Sequence, residues 1–212
     1  MKLLKAGPSP FVRKVLVTLH ETGLMDQVEM VQVTASPLEP DSKLTSANPV
    51  GKVPALVRDE GPTLYDSRVI CRYLDHVAGT KLYPQARIWD TLTLEATADG
   101  ILEAAVLMVY EGRFRPENLR YDPWIEGQWA KVTRALAALE GRWMSHLNGP
   151  LDAGQIACAC ASASIACSRL IDHSCASIVL VMELANVGPD TIRAAISRAV
   201  ASRSSASTNR LK

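Results

Sequence analysis

The sequence predicts an α/β domain followed by an all-helical domain. In residues 1–77, short apolar segments with the two-residue period of strands alternate with segments of helical period. From Ile88 onward the apolar residues follow a helical period alone, and residues 78–87 have the turn residues and weak pattern of a linker. The chain has 212 residues, 48% of them hydrophobic, which is enough to bury two small cores. Residues 88–212 are therefore assigned to the helical domain.

The first domain begins with a strand at Leu3–Ala6 and a capped helix. Ser9 is a good N-cap, and Pro10 favours the first position of a helix. Apolar residues of Pro10–Thr22 recur on one helical face, and Gly23 ends the helix. The elements predicted after it are a strand at Val28–Val33, a short helix at Leu38–Thr45, a hairpin of Val53–Arg58 with Thr63–Tyr65, and a helix at Ser67–Val77.

Three helices are predicted in the second domain. Ile88–Phe114 and Pro123–Leu147 each carry enough apolar residues for a buried stripe. Asp152 and Gln155 have the spacing of a capping box, which predicts a third helix from about Ala153. The stripe predicted on the first of these helices consists of Leu92, Ala96, Ile101, Ala105, Met108 and Val109.

Charge and cysteine content exclude several classes of protein. A net charge of +1 gives no field that would attract nucleic acid or an anionic membrane. No apolar run approaches the roughly 20 residues of a membrane span, and the N-terminal run is too short for a signal peptide, so we expect a cytoplasmic protein. The odd number of cysteines favours buried thiols over a disulfide framework. The four histidines complete no zinc spacing, and no metal is expected.

The segment Asn-Pro-Val-Gly-Lys-Val-Pro at residues 48–54 is the first candidate for a binding site. Its last bond, Val53–Pro54, stands where a turn meets the predicted strand. An X–Pro bond costs only about 0.5–1 kcal/mol to hold cis. A cis bond here would turn the Val53 N–H and C=O away from the sheet, where a short peptide could pair with them as a strand does. The alternative is a trans proline entering an ordinary edge strand.

Two more segments share a pattern of strand, turn and helix start. They are Ser-Pro-Phe-Val-Arg at residues 9–13 and Asp-Ser-Arg-Val-Ile at residues 66–70. Together with residues 48–54, in this order and spacing, they make the chain resemble the glutathione transferase family, and within it the small bacterial Ser/Cys-type members, over residues 1–160. The resemblance implies a thioredoxin-like N-terminal domain, an all-helical C-terminal domain, a homodimer, and glutathione as the bound peptide.

The resemblance gives Ser9 a catalytic role. The thiol of glutathione must ionise before it attacks, and by analogy with free cysteine its pKa lies near 8.5. At a helix start, the Ser9 O–H can donate to that sulfur while the helix N-terminus adds positive potential. The alternative is a plain N-cap. Many relatives have Cys at this position. Because Ser cannot form a mixed disulfide, conjugation, isomerisation or peroxide reduction is favoured over thiol–disulfide exchange.

The resemblance also implies a set of glutathione-binding residues. Val53, held by Pro54, would pair its backbone with the cysteinyl group. Asp66 would pair with the γ-glutamyl ammonium, and Ser67 with the γ-glutamyl carboxylate at a helix N-terminus. Lys52 would reach the glycyl carboxylate. The alternative for Asp66 and Ser67 is a helix cap without a ligand.

Weaker roles are implied for a few other positions. Phe11 and Arg13 would support the site, although a surface or interdomain ion pair is the better interpretation of Arg13. The electrophile would bind in a cleft between the domains that draws on Met108, Tyr110 and the tail. The favoured function is a transferase that ionises glutathione for attack on an electrophilic small molecule. The alternative is a non-catalytic adaptor or regulatory module on the same fold, because a fold does not determine a function.

The tail departs from the resemblance after about residue 161. Every Phe, Trp and Tyr lies at or before Trp143, and serine becomes frequent. Ala161–Ser164 stands where the family has bulky residues that pack the domain centre. One hypothesis is a tail that is not native to this fold, as a frameshift would produce, and partly disordered. The other is a divergent tail with helices at Ile178–Asn186 and Thr191–Val200.

Overall fold

The computed structural model describes residues 1–7 and 9–170. The chain divides into two compact units, the first Met1–Thr91 and the second beginning at Leu92. The predicted helices at Ile178–Asn186 and Thr191–Val200, and the expected disorder of the tail, lie outside the described residues. No described helix combines the length and the apolar character needed to cross a membrane.

A three-stranded sheet forms the centre of the first unit. The strands are β1 (Lys2–Lys5), β2 (Glu29–Gln32) and β3 (Ala55–Val57), in the order β2-β1-β3. The central strand β1 runs parallel to β2 and antiparallel to β3. Its residues Leu3 and Leu4 are both buried, as expected for a strand with neighbours on each side and cover on each face.

Three α-helices accompany this sheet: α1 (Pro10–Glu21), α2 (Ser42–Ala47) and α3 (Ser67–Ala78). The apolar face of α1 is buried, and α1 packs against α3. Gly79 ends α3 at φ 65°, the left-handed conformation that glycine adopts without penalty. The side chain of Asp75 then fastens the following turn, accepting hydrogen bonds from the N–H groups of Leu82 and Tyr83 at 2.8 and 3.2 Å.

Two predictions for the first unit need correction. The short helix begins at Ser42 rather than Leu38, because Asp41 caps it by accepting from the Lys43 N–H at 2.8 Å. The predicted second strand of the hairpin, Thr63–Tyr65, pairs only through a bridge between Leu56 and Leu64. Only two residues separate that bridge from the start of α3 at Ser67, which leaves no length for a longer ladder.

The described part of the second unit consists of helices: α4 (Ile88–Phe114, whose first turn lies in the first unit), α5 (Asp122–Arg142), α6 (Met144–Leu147) and α7 (Ala153–Leu170). The single predicted helix Pro123–Leu147 is therefore wrong at its end. The chain leaves helical geometry at Trp143, where φ is −113°, shortly after Gly141, a weak helix former. The stripe predicted on α4 is also partly wrong, since Ala96 and Val109 are exposed.

The predicted capping box at the start of α7 is confirmed. Asp152 accepts from the Gln155 N–H at 3.1 Å, and Gln155 Oε1 accepts from the Asp152 N–H at 2.7 Å. The Asp152 carboxylate also bonds to His146 Nε2 at 2.7 Å. A buried polar network thus fixes the start of α7. Further along this helix, Ala161 is fully buried.

Candidate functional site

Ser9 stands at the N-terminus of α1 with extended backbone angles, φ −74° and ψ 121°. Its Oγ accepts the Val12 N–H at 3.3 Å, and its carbonyl accepts the Arg13 N–H at 3.1 Å. The first turn of α1 contains no acidic residue, so no carboxylate on it offsets the positive end of the helix dipole. The Ser9 hydroxyl still has its proton to donate, because a hydroxyl donates once and accepts twice.

The turn at residues 48–54 is braced by one buried side chain. Asn48 is only 2% exposed. It donates from Nδ2 to the Lys52 carbonyl at 2.8 Å, and its Oδ1 accepts the Val50 N–H at 3.0 Å. Gly51 adopts φ 67°, where a side chain would be strained. The bracing role of Asn48 was not predicted from the sequence, although an Asn-Pro pair before a glycine is a turn signal.

The backbone of Val53 is the next part of the candidate site. The Val53–Pro54 peptide bond is cis. Within the described residues, no hydrogen bond involves the Val53 N–H or C=O. The Val53 side chain packs against the buried cluster that contains Leu4, Val33 and Leu44, so the residue is anchored on one side. Lys52 is exposed, and Pro54 is buried.

Asp66 and Ser67 occupy the start of α3. Asp66 is the N-cap; its Oδ1 accepts the Arg68 N–H at 3.0 Å, and its Oδ2 accepts Nη2 of the same arginine at 3.0 Å. Partial burial raises the pKa of Asp66, but the hydrogen bonds and charge of Arg68 and the charge of Lys14 outweigh it, so the pKa lies below its usual value. Ser67 is 1% exposed, and its hydroxyl has no hydrogen bond within the described residues.

The strand register brings Ser9 and Pro54 to the same end of the sheet. β1 and β3 are antiparallel, with Leu4 opposite Ala55. The C-terminal end of β1, which leads to Ser9, therefore lies beside the N-terminal end of β3, which Pro54 precedes.

Asp66 reaches that end of the sheet as well. The bridge between Leu56 and Leu64 is antiparallel, so the chain after Leu64 runs back toward the start of β3. Lys14 of α1 is close enough for its charge to lower the pKa of Asp66. The three segments singled out in the sequence thus meet at one edge of the first unit.

Phe11 and Arg13 lie half-buried on the first turn of α1. Cys71 of α3 contacts this helix, since its Sγ accepts a hydrogen bond from the Thr18 hydroxyl at 3.2 Å. Cys71, Cys158 and Cys160 are buried. Burial raises the pKa of the Cys158 thiol, which makes it a poor nucleophile. Among the described residues, no group of three or more His, Cys, Asp or Glu side chains could hold a metal ion.

A cleft of about 690 Å³ lies within the second unit, between the end of α4 and the start of α5. Tyr110, which the sequence suggested for the electrophile, lines it, whereas Met108 does not. Glu111, which also lines the cleft, accepts a hydrogen bond from Nε of Arg115 at 2.6 Å. This hydrogen bond and the Arg115 charge hold the pKa of Glu111 below its usual value against desolvation.

Comparison with known proteins gives concordant results. Residues 8–77 match the family model described as glutathione S-transferase, N-terminal domain. An uncharacterized GST-like protein from Escherichia coli, YibF, is 34% identical over 145 residues, which cover 66% of this chain and 69% of that protein.

Solved structures extend the likeness to both units. A glutathione transferase family member from Pseudomonas fluorescens with bound glutathione has 38% identity and a TM-score of 0.78, covering 89% of this chain and 95% of that one. The same family member with bound S-(propanoic acid)-glutathione gives 35% identity and a TM-score of 0.75 at the same coverage. The predicted fold class, a thioredoxin-like domain followed by a helical domain, is confirmed.

Proposed function

Because this chain belongs to the glutathione transferase family, we propose that it binds glutathione in the first unit and ionises its thiol for attack on an electrophilic small molecule. The observation that carries the proposal is the meeting of three segments at one end of the sheet: the helix start at Ser9, the unpaired backbone of Val53, and the helix start at Asp66. Each offers a different group of the tripeptide a matching partner.

Glutathione would lie along Val53 as a short added strand. The Val53 N–H and C=O pair with the cysteinyl group, as an extended peptide pairs with a sheet edge. Asp66 remains ionised because its pKa is lowered, and it receives the γ-glutamyl ammonium. Ser67 offers a buried hydroxyl at a helix N-terminus to the γ-glutamyl carboxylate. The exposed Lys52 supplies a cation for the glycyl carboxylate.

Ser9 would then ionise the thiol. Its hydroxyl accepts from Val12 and donates to the sulfur, so the cap and the catalytic hydrogen bond coexist. Serine forms no mixed disulfide, which favours conjugation, isomerisation or peroxide reduction. Two solved structures of one relative contain glutathione or S-(propanoic acid)-glutathione, in keeping with this assignment. We place the protein in the cytoplasm, where thiols stay reduced, since an odd number of cysteines does not suit a disulfide framework.

The first test is calorimetric titration with glutathione, comparing the wild type with Asp66→Asn. We expect Asp66→Asn to weaken binding about 10-fold, because a charge-assisted hydrogen bond to the ammonium is lost. The matched control is Asp26→Asn, an exposed carboxylate elsewhere in the same unit, which should bind as the wild type does.

Two outcomes decide between the candidate functions. Failure of the wild type to bind at millimolar glutathione contradicts the proposal. Binding without turnover of a chlorinated nitroaromatic electrophile, an isomerisable substrate or a peroxide favours the adaptor function instead.

We also propose a homodimer. Exposed apolar side chains recur along α3 at Val69 and Val77, 45% and 46% exposed, and Trp89 at the start of α4 is 77% exposed. We propose that these side chains contact Ile88–Phe114 of a second copy, because exposed apolar residues close together on a surface favour a protein interface. Light scattering should give twice the 23.0 kDa chain mass.

Val69→Asp tests the dimer, because it would bury an unpaired charge in the interface. We expect this variant to elute as a monomer at micromolar concentration. Leu38→Asp, at a more exposed apolar position of the same unit, should remain dimeric. A monomeric wild type, or a dimeric Val69→Asp variant, contradicts this surface.

A further inference from the structure

The cleft between the end of α4 and the start of α5 is a cavity that the proposed function does not use. Its volume of about 690 Å³ falls within the range of roughly 300–1,000 Å³ that is typical of small-molecule sites. Four aromatic side chains of the described residues line it: Tyr110, Phe114, Tyr121 and Trp124. The rings of Tyr110 and Phe114 pack edge to face, with their centroids 5.1 Å apart. These walls suit a ligand with a flat aromatic ring.

The loop that joins α4 to α5 is tied back onto the end of α4. Arg120 donates from Nη2 to the Gly112 carbonyl at 2.7 Å and from Nε to the Arg115 carbonyl at 3.3 Å. The Tyr121 N–H donates to Glu111 Oε1 at 3.2 Å. These hydrogen bonds fix the walls of the cleft before a ligand arrives, which reduces the conformational entropy lost on binding.

Arg115 gives the cleft a cation with free hydrogen-bonding capacity. Its Nε lies 2.6 Å from Glu111 Oε1, and its side chain is nevertheless 52% exposed. Within the described residues, no hydrogen bond involves its Nη1 or Nη2 atom. The two Nη groups form one edge of a planar fork, and such an edge binds a carboxylate through two parallel hydrogen bonds.

The charges of the cleft favour an anion over a cation. Glu111 is the acidic residue among the described residues that line it, and the ion pair with Arg115 balances its charge. Arg120 lies close enough to help lower the pKa of Glu111. Glu117 and Asp122, the nearest acidic residues in the sequence after Glu111, do not line the cleft. Arg120 therefore leaves an excess of positive charge beside the aromatic walls.

We propose that this cleft is a second binding site and that it takes a flat aromatic carboxylate. The ring of the ligand lies against the aromatic walls, and its carboxylate accepts hydrogen bonds from the two Nη groups of Arg115. Because the lining residues all belong to the second unit, this binding requires no glutathione and does not depend on the proposed function.

The experiment is a binding titration by ligand-observed NMR with two probes of the same shape. 2-Naphthoate has the carboxylate, whereas 2-naphthamide has a neutral amide in its place. We expect the wild type to bind naphthoate with a Kd of about 0.1–1 mM, in keeping with the size of this ligand. Naphthamide should bind about 3- to 10-fold more weakly, because it lacks the charge-assisted hydrogen bonds.

Two substitutions in the ion pair should act in opposite directions on naphthoate. Arg115→Gln is expected to weaken naphthoate binding about 10-fold and to leave naphthamide binding within about 2-fold. Glu111→Gln removes the negative charge from the walls, while its amide oxygen can still accept the Tyr121 N–H. Naphthoate should therefore bind this variant about 2- to 5-fold more tightly than the wild type.

Arg134→Gln is the matched control. Arg134 is an exposed arginine of α5 that does not line the cleft. Its substitution removes the same charge from the same unit, so both probes should bind this variant as they bind the wild type. Unchanged naphthamide binding by Arg115→Gln shows in turn that the cleft keeps its shape in that variant.

The outcomes separate the parts of the proposal. Equal affinity of the wild type for the two probes, or equal weakening of both by Arg115→Gln, overturns the role of Arg115 as the carboxylate-binding residue. A wild type that binds neither probe at millimolar concentration overturns the site. Displacement of naphthoate by saturating glutathione would assign the probe to the glutathione site and overturn the second site. A protein that binds naphthoate but no glutathione contradicts the proposed function alone.

Discussion

Ser9→Ala is expected to lower kcat/KM for a glutathione-dependent reaction by roughly 10–150-fold. One charge-assisted hydrogen bond to a thiolate contributes about 1.5–3 kcal/mol, and each 1.4 kcal/mol changes the rate tenfold when it acts on the reacting anion. The same loss should raise the pKa of bound glutathione by about one to two units. We therefore expect Ser9→Ala to lower catalysis much more than glutathione affinity, since the contacts proposed for Val53 and Asp66 are unchanged.

The structure gives the physical reason for expecting so large an effect from one hydroxyl. Ser9 begins a helix of 12 residues whose first turn carries no acidic side chain, so the positive end of the dipole acts on any anion placed there. The Oγ atom is oriented by the Val12 N–H that it accepts. An alanine retains the helix dipole but lacks the donor, and the residual activity reports the dipole alone.

The measurement is a thiolate titration by ultraviolet absorbance together with steady-state kinetics. Ser36→Ala is the matched control, because Ser36 Oγ also accepts two backbone N–H groups, from Leu38 and Glu39, in the same unit. Both substitutions remove a serine oxygen that accepts backbone N–H groups, and the loss of the helix cap in Ser9→Ala should cost about 1 kcal/mol of stability. Only Ser9→Ala should change the pH profile. Turnover that survives Ser9→Ala at wild-type rate would contradict the catalytic role.

The local parts of the site could be predicted because each depends on neighbours in sequence. A cap followed by proline predicts the start of α1, and α1 does begin at Pro10. The start of α3 after Asp66 follows from the same capping logic, with the Arg68 N–H bonded to the carboxylate. Such signals are carried by backbone preferences that operate over three or four residues, so distant contacts do not alter them.

The errors arise where several choices satisfy the same local preference. α4 is apolar on nearly all sides, so its period could not decide which residues are buried, and Leu94 and Leu102 are buried where Ala96 and Val109 were expected. The ion pair of Asp66 with Arg68 was missed because a neighbouring arginine has many solvated conformations, and only coordinates show which one it adopts.

The second large expected effect is on stability: Asp152→Ala should lower the free energy of unfolding by about 3 kcal/mol. Asp152 is fully buried and accepts from the Gln155 N–H at 3.1 Å, while its Oδ2 bonds to His146 Nε2 at 2.7 Å. Removing the carboxylate leaves these buried groups without their acceptor, and each buried polar group left unsatisfied costs about 1–3 kcal/mol. Gln155 is also affected, because the same cap orients its side chain toward the Leu147 carbonyl at 3.0 Å.

Asp41→Ala provides the comparison for this substitution. Asp41 is likewise an aspartate N-cap, accepting from the N–H groups of Lys43 and Thr34, but it lies near the surface, where water can replace the lost acceptor. Its loss of stability should therefore be clearly smaller. Those hydrogen bonds, Thr34 first, lower the pKa of Asp41. Asp41 therefore stabilises the folded state at pH values above the pKa of an aspartate in the unfolded chain, near 3.9. This stabilisation is lost as the pH falls through the lowered pKa of Asp41 in the folded state.

The measurement is denaturant unfolding followed by tryptophan fluorescence. It reports on the unit that contains Asp152, since Trp124, Trp129 and Trp143 all lie in the second unit. Asp152→Asn distinguishes the two parts of the network. An asparagine oxygen can still cap α7, but it offers His146 a neutral group, so the loss should be intermediate. If Asp152→Ala unfolds at the wild-type midpoint, the buried cap does not stabilise the second unit, and α7 must be held by its apolar contacts alone.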